Sequence, residues 1–260
     1  MRQGLVGFND AKVLQIFELC KFFNKNRTKK MKFTDFEHVL SHERLARYLN
    51  ACGGDSRKAM TLYRYNLQLS QEMFTVISCF EVALRNAIDS NLTPHLGNDW
   101  LRDSVTGNGI FTDPLLRKTA NVINHSYTRL QSQQQYTHSK LLSDMEFGIW
   151  KYMFSPMQFR LTGRTLLQIF PNKPRSTRNL QINQAYIFNE LDKVNTIRNR
   201  IAHHEPICFG LSGANIDTTY IQTKYTQIQT LFAWMGIDSR SLLYGLDHVL
   251  TVCNKINNEL

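Results

Sequence analysis

The chain has 260 residues, 42% of them hydrophobic, and a formal net charge of +10. That apolar content builds a real core and excludes a disordered chain, while the charge predicts a polyanionic partner: RNA, DNA or an anionic membrane surface. No apolar run approaches the ~20 residues of a membrane span, and the first residues, Met1-Arg2-Gln3-Gly4-Leu5, lack the apolar core of a signal peptide.

With only 13 glycines and 6 prolines, long helices are expected rather than many short strands. Residues 11–24 place Val13, Ile16, Phe17, Cys20 and Phe23 on one helical stripe. A basic stretch follows, with Lys21, Lys25, Arg27, Lys29, Lys30 and Lys32. It reads either as a solvated turn or as a phosphate-contacting arm, and the two are compatible. Lys29 and Lys30 are kept as candidate RNA contacts. Ser41 is a suitable N-cap for a short helix through Leu49, and Asp55 or Ser56 for one reaching about Leu69. Ser70 then caps a long helix over residues 71–92, with Phe74, Ile77, Ser78, Glu81, Arg85 and Ile88 at helical spacing and Pro94 and Gly97 ending it.

Residues 100–112 read as a loop. Asp113-Pro114 opens a helix to about Leu130, and residues 143–154 form a shorter, aromatic-rich one. From Phe147 to Asn189 there is no Asp or Glu, while Lys151, Arg160, Arg164, Lys173, Arg175 and Arg178 fall inside. Cations neutralise phosphates and aromatics stack on bases, although most aromatics here fit a core. Arg160, Arg164, Lys173, Arg175 and Arg178 are the candidate RNA contacts. A helix over about 180–202 buries Ile182, Ala185, Tyr186, Asn189, Val194, Ile197 and Ile201, and two more cover about 218–235 and 239–257. No repeat of 20–50 residues is present. The five cysteines are scattered and form no Cys-x-x-Cys pair. Neither a disulfide framework nor a metal site is expected, and a reduced cytoplasm is. The fold class is all-α. One domain over 1–260 is expected, with a possible N-terminal helical subdomain over 1–69 and the main bundle over about 70–260.

The densest chemistry lies in Ile197-Arg198-Asn199-Arg200-Ile201-Ala202-His203-His204-Glu205-Pro206. On a helix, Asn199 and His203 stack on one face with Arg198 at its edge. Pro206 ends the helix, so His203 and His204 lie in or just past its last turn. RNA carries its own nucleophile in the ribose 2′-OH. Its cleavage needs a proton acceptor, a proton donor and charge on the phosphorane. Imidazole suits the first two and guanidinium the third. Asn199 can position a phosphate or fix the tautomer of His203. Alone, an arginine five residues before a histidine is a weak signal, and a helix end capped by histidines is its bland explanation. His203 is favoured over His204 by its spacing and by the face it shares with Asn199.

Arg198-Asn199-x-x-x-His203 resembles the arginine–histidine signature of HEPN-superfamily ribonucleases. The wider string to Pro206 is similar to the abortive-infection, Abi-like branch of that group, of the AbiD/AbiF type. Ser41-x-Glu43-Arg44-Leu45-x-x-Tyr48, Ala59-x-x-Leu62-Tyr63-x-x-Asn66, Phe80-Glu81-Val82-Ala83-Leu84-Arg85-Asn86-Ala87-Ile88 and Gly148-x-Trp150 stand in the order of that family, over roughly residues 40–210. The resemblance implies a HEPN-like helical bundle with added N- and C-terminal helices. It implies RNA cleavage without metal or cofactor by Arg198, Asn199 and His203, and phage defence by growth arrest or a toxin–antitoxin pair. It implies a homodimer with two motifs facing one cleft, and a bound small non-coding RNA. A non-catalytic module that clamps RNA is the competing reading, and a protein–protein silencer a third. Arg85-Asn86 echoes the motif, but Ser90 and Asn91 stand where a histidine belongs. His204, Arg85 and Asn86 are candidates to line the site, with a structural role for Arg85 equally weighted.

Overall fold

In the computed structural model the described residues are 31–210 and 215–260. They divide into two compact units between Arg47 and Tyr48. The helix expected over 11–24 and the cations Lys29 and Lys30 lie outside the described residues. In the first unit, α1 (Phe33–Leu40) leads to Ser41, whose φ of 71° turns the chain into α2 (His42–Ala51), the last residues of which, from Tyr48, belong to the second unit. Ser41 Oγ accepts the Arg44 N–H at 3.4 Å, the capping role expected of it.

The second unit is all helical, as the pattern predicts, and the described residues contain no strand, only an isolated antiparallel bridge between Phe209 and Ile216. Its axis is α3 (Ser56–Leu96), a helix of 41 residues. Asp55 caps it, accepting the N–H groups of Arg57 and Lys58 at 2.9 and 3.1 Å. Two helices were expected here, divided at Ser70. The apolar stripe passes through that position in phase, with Leu62, Leu69, Met73, Val76, Ile77, Phe80, Leu84, Ile88 and Leu92 all at 0% exposure. A serine inside an unbroken stripe has nothing to cap. Pro94 does not end the helix either. It sits in the last turn, and Gly97, at φ 93°, closes the helix by donating its N–H to the Thr93 carbonyl. Phe74, placed on the buried stripe by its spacing, is 47% exposed.

The remaining helices are α4 (Trp100–Asp103), α5 (Arg117–Ser132), α6 (His138–Asp144), α7 (Phe147–Tyr152), α8 (Pro156–Leu161), α9 (Gln184–Ala202), α10 (Thr219–Trp234), α11 (Ser239–Leu242) and α12 (Val249–Glu259). Short 3₁₀ turns at Pro114–Leu116 and Leu166–Ile169 complete the set. Helices α7, α9, α10 and α12 pack around α3. Phe80 stands at the centre, edge-on to Phe232 at 5.2 Å and tilted against Phe147 at 6.3 Å. Truncating such a ring costs about 3–5 kcal/mol.

Further boundaries differ from expectation. Residues 100–112, read as a loop, open with the helical turn of α4, where Trp100 and Leu101 are buried. Helix α9 begins at Gln184, not near 180, because Asn183 caps it, its Oδ1 accepting the Tyr186 N–H at 3.0 Å. Residues 143–154 are divided between α6 and α7, with Met145 and Glu146 extended between them. Residues 239–257 break into α11 and α12, with Gly245 at φ 72° in the intervening turn. Of the aromatics in the acid-free block, Trp150, Phe154, Phe159 and Phe170 are core and Tyr152 is exposed.

Candidate functional site

Helix α9 ends where chemistry and backbone geometry meet. Leu191, Val194, Ile197 and Ile201 hold one side of it in the core. That leaves Arg198, Asn199 and Arg200 half-buried, and Ala202, His203 and His204 exposed. The helix stops with the His204 N–H bonded to the Ile201 carbonyl at 3.0 Å and the Glu205 N–H to the Arg200 carbonyl at 2.8 Å. This is a Schellman closure, and it needs a left-handed residue, a place usually taken by glycine. Here His204 takes it, at φ 56°. A β-carbon in that region costs about 1–2 kcal/mol. His203, one residue earlier, keeps an unstrained C-cap geometry at φ −89°.

The two arginines of the motif do different work. Arg200 is a strut: Nε donates to Glu205 at 3.1 Å, a second guanidinium nitrogen donates to the Pro206 carbonyl at 2.9 Å, and the group stacks on the Tyr220 ring at 5.2 Å. Arg198 makes one long contact, to Asn199 Oδ1 at 3.5 Å. Among the described residues no carboxylate lies within ion-pair distance of it. Half-buried yet without a salt bridge, its guanidinium keeps donors for an incoming anion. Asn199 turns its carbonyl oxygen to Arg198 and binds His203 only through the backbone, its main-chain carbonyl accepting the His203 N–H at 2.9 Å.

Arg85 belongs to the same neighbourhood. Glu81, one turn earlier on α3, is half-buried, and burial raises its carboxyl above the usual range. Arg198 and Arg85 both act on that carboxyl to pull it back, and Glu146 pushes it further up. Glu81 and Arg85 thus attract through space rather than form an ion pair. Arg85 Nε reaches Asn86 Oδ1 at 3.5 Å, the counterpart of the Arg198–Asn199 contact.

The segment after the motif is fixed by Asn66, which is 3% exposed. Its Oδ1 accepts the N–H groups of Ile207 and Cys208 at 2.8 and 3.2 Å. Tyr48 joins in, its ring edge-on to both Tyr63 and Phe209 at 5.1 Å. Three residues that the sequence singles out far from the motif thus hold the strand-like exit from it.

The match to a family model decides the affiliation. It covers residues 18–208, nearly three-quarters of the chain, and its description is "Abi-like protein". The chain belongs to the Abi-like protein family. No curated protein and no solved structure matches it. The family points to abortive infection, a form of defence against phage. In this Abi-like protein the matched region closes at Cys208, the residue whose N–H Asn66 holds.

The other candidate cations of this Abi-like protein lie apart from the motif. Arg160 ends α8, which packs on α9, and Arg164 follows in a turn at φ 60°. Lys173, Arg175 and Arg178 lie in the irregular segment that precedes the N-terminal end of α9, the end opposite Arg198. All but the half-buried Lys173 are exposed. Lys151 is 6% exposed and paired with Asp192 at 2.8 Å, a structural residue. His138 is structural too: its Nε2 meets Asp89 at 2.7 Å, beside the Trp100 Nε1 bond to the same carboxylate at 2.8 Å. Among the described residues no group of three or more His, Cys, Asp or Glu side chains could hold a metal ion, and no helix is long and apolar enough to cross a membrane. Sequence reasoning missed the strut role of Arg200. An arginine five residues before a glutamate across a helix end was its signal.

Proposed function

We propose that this Abi-like protein is an endoribonuclease of HEPN type that acts in phage defence by arresting growth. One observation carries the reading: at the C-terminal end of α9 stand a half-buried arginine without a salt bridge among the described residues and, at the C-cap, an exposed histidine. Arg198 binds the scissile phosphate and holds the charge of the phosphorane. His203 moves protons, and Asn199 keeps the guanidinium in place. The 2′-oxygen forms a bond to phosphorus as its proton goes to a base, the bond from phosphorus to the 5′-oxygen breaks, and that oxygen takes a proton. The products are a 2′,3′-cyclic phosphate and a 5′-hydroxyl. One motif supplies one imidazole in an exposed position of this spacing, so a homodimer with two motifs at a common cleft provides both proton carriers.

The test is incubation of purified protein with end-labelled RNA in EDTA. The expected result is cutting with cyclic-phosphate ends, lost in His203→Ala and Arg198→Ala while RNA is still bound. Binding by every preparation with cutting by none makes the protein an RNA clamp, of a small structured RNA or of its target. Absence of RNA affinity at low salt defeats both readings.

A further inference from the structure

Helices α9 and α10 run antiparallel. Tyr186 near the start of α9 meets Trp234 at the end of α10, with ring centroids 6.1 Å apart, and Arg200 at the far end of α9 meets Tyr220 at the start of α10. Between these contacts lies an open groove of about 520 Å³, within the size range of ligand sites. The fourteen steps from Tyr186 to Arg200 span about 21 Å of helix. The lining runs along α10 to Thr219, next to Tyr220, the ring on which Arg200 of the motif stacks, so the groove leads toward the motif.

Its lining is unusual for a groove between two helices. Helix α10 turns Thr219, Thr223, Thr226 and Thr230 with Gln222 and Gln227 into it. Lys224 is the sole charged residue of α10. Exposed helix faces are ordinarily built from Glu, Lys, Arg and Gln, which also favour helix more than threonine does. The row is neutral: the Thr223 and Thr230 hydroxyls donate to the Thr219 and Thr226 carbonyls and keep acceptor lone pairs, and each Gln amide keeps its carbonyl oxygen and a second N–H, which suits base edges and not phosphates. The cations stand at the border instead. Arg200 and Lys224 both stack on Tyr220, at 5.2 and 5.3 Å. Lys193 pairs with Glu190 at 2.6 Å, cancelling the acid in the lining, and Gln227 donates to the Glu190 carbonyl at 2.9 Å. Burial and the nearby Lys193 lower the pKa of Lys224, against a smaller upward pull from Glu190.

We infer that the α9–α10 groove is a single-stranded RNA track: a base stacks on Trp234 beside Tyr186, the Thr and Gln side chains meet base edges, and the backbone passes Lys224 and Arg200 on its way to Arg198 and His203. The inference rests on the ribonuclease reading for the direction of the strand, and needs only RNA binding for the track. It makes the substrate an unpaired segment, because a duplex presents no free base face.

Tryptophan emission tests it. Trp100 and Trp150 are 1% and 0% exposed, so Trp234, half-buried at the groove, is the one that a ligand can reach. In the full chain carrying His203→Ala, a single-stranded oligoribonucleotide of about 12 residues quenches emission on binding. Trp234→Ala abolishes the quench and weakens binding roughly five- to hundredfold in an anisotropy titration. Trp234→Phe loses the quench and keeps most of the affinity. Thr226→Glu, a change on an exposed threonine that leaves the core untouched, weakens binding by like-charge repulsion of the strand. A duplex of the same length leaves the emission unchanged. Undiminished affinity in both Trp234→Ala and Thr226→Glu, or equal quenching by duplex, overturns the track while the ribonuclease reading stands. Absence of RNA binding by the His203→Ala chain overturns both.

Discussion

Arg85-Asn86 and Arg198-Asn199 are one dipeptide placed twice, and each arginine reaches its neighbour's Oδ1 at 3.5 Å. What differs is the helix around them. Arg85 lies in the interior of α3, which continues through Leu96. The positions where an imidazole would follow hold exposed Ser90 and half-buried Asn91, and Asn91 Oδ1 accepts the Thr165 hydroxyl at 2.7 Å. Arg198 lies four residues from the end of α9, where the backbone turns away and two histidines come into solvent. A dipeptide is thus not a site. The helix terminus supplies what the interior cannot: an open approach and room for a second group beyond the last turn.

The largest effect should come from testing that asymmetry directly. His203→Ala and Arg198→Ala are each expected to lower RNA cleavage by about 10²–10⁴-fold. Arg85→Ala, a site-lining change, should stay within roughly tenfold. Comparable losses at Arg85 and Arg198 in single-turnover cleavage would make the two dipeptides equal partners and erase the distinction drawn here.

Asn66 sharpens the comparison from the other side, since it anchors the segment that leaves the α9 terminus. Asn66→Ala leaves the buried N–H groups of Ile207 and Cys208 without their acceptor. The expected loss is about 2–4 kcal/mol in urea unfolding. Faster amide exchange at 207 and 208 should accompany it. A variant as stable as the parent would remove Asn66 from the scaffold of the site.

Much of this was legible in the sequence. The helical class follows from sparse Gly and Pro and from periods of 3.6, and the end of α9 follows from Pro206. Arg198, Asn199 and His203 stand on the motif alone. What stayed hidden was either tertiary or a matter of competing signals. Ser70 has the chemistry of a cap, but packing of Leu69 and Met73 on either side carries the helix through it. Phe74 has the right spacing and is exposed because the stripe through Met73 and Ile77 already fills the core face. Asn66 was visible as part of a family pattern and its purpose was not, because its partners lie 141 and 142 residues away.

Glu81 adds a pH test of the ground between the two dipeptides. Its carboxyl is raised chiefly by burial, against the pull of Arg198 and Arg85. The native state therefore holds the extra proton. The stability contributed by the neutral form is present below the ordinary glutamate range and is lost as pH rises through the elevated value. Glu81→Gln should flatten that decline in chemical unfolding curves across mildly acidic pH, leaving other pH effects in place. An unchanged slope would show that the carboxyl titrates alike in folded and unfolded chains.

The smallest effect separates the two histidines. His204 occupies a left-handed position that a β-carbon strains, and His203 does not. Glycine relieves that strain and adds some unfolded-state entropy, so His204→Gly should gain up to about 1 kcal/mol in thermal or urea unfolding. If His203 is the proton carrier, the same variant keeps cleavage within a few-fold of the parent, because the Schellman closure uses only backbone groups. A stable His204→Gly protein that no longer cuts RNA would move the catalytic imidazole one residue along. The left-handed turn would then be the device that aims it, with strain retained at the helix end for function and not as an accident of a missing glycine.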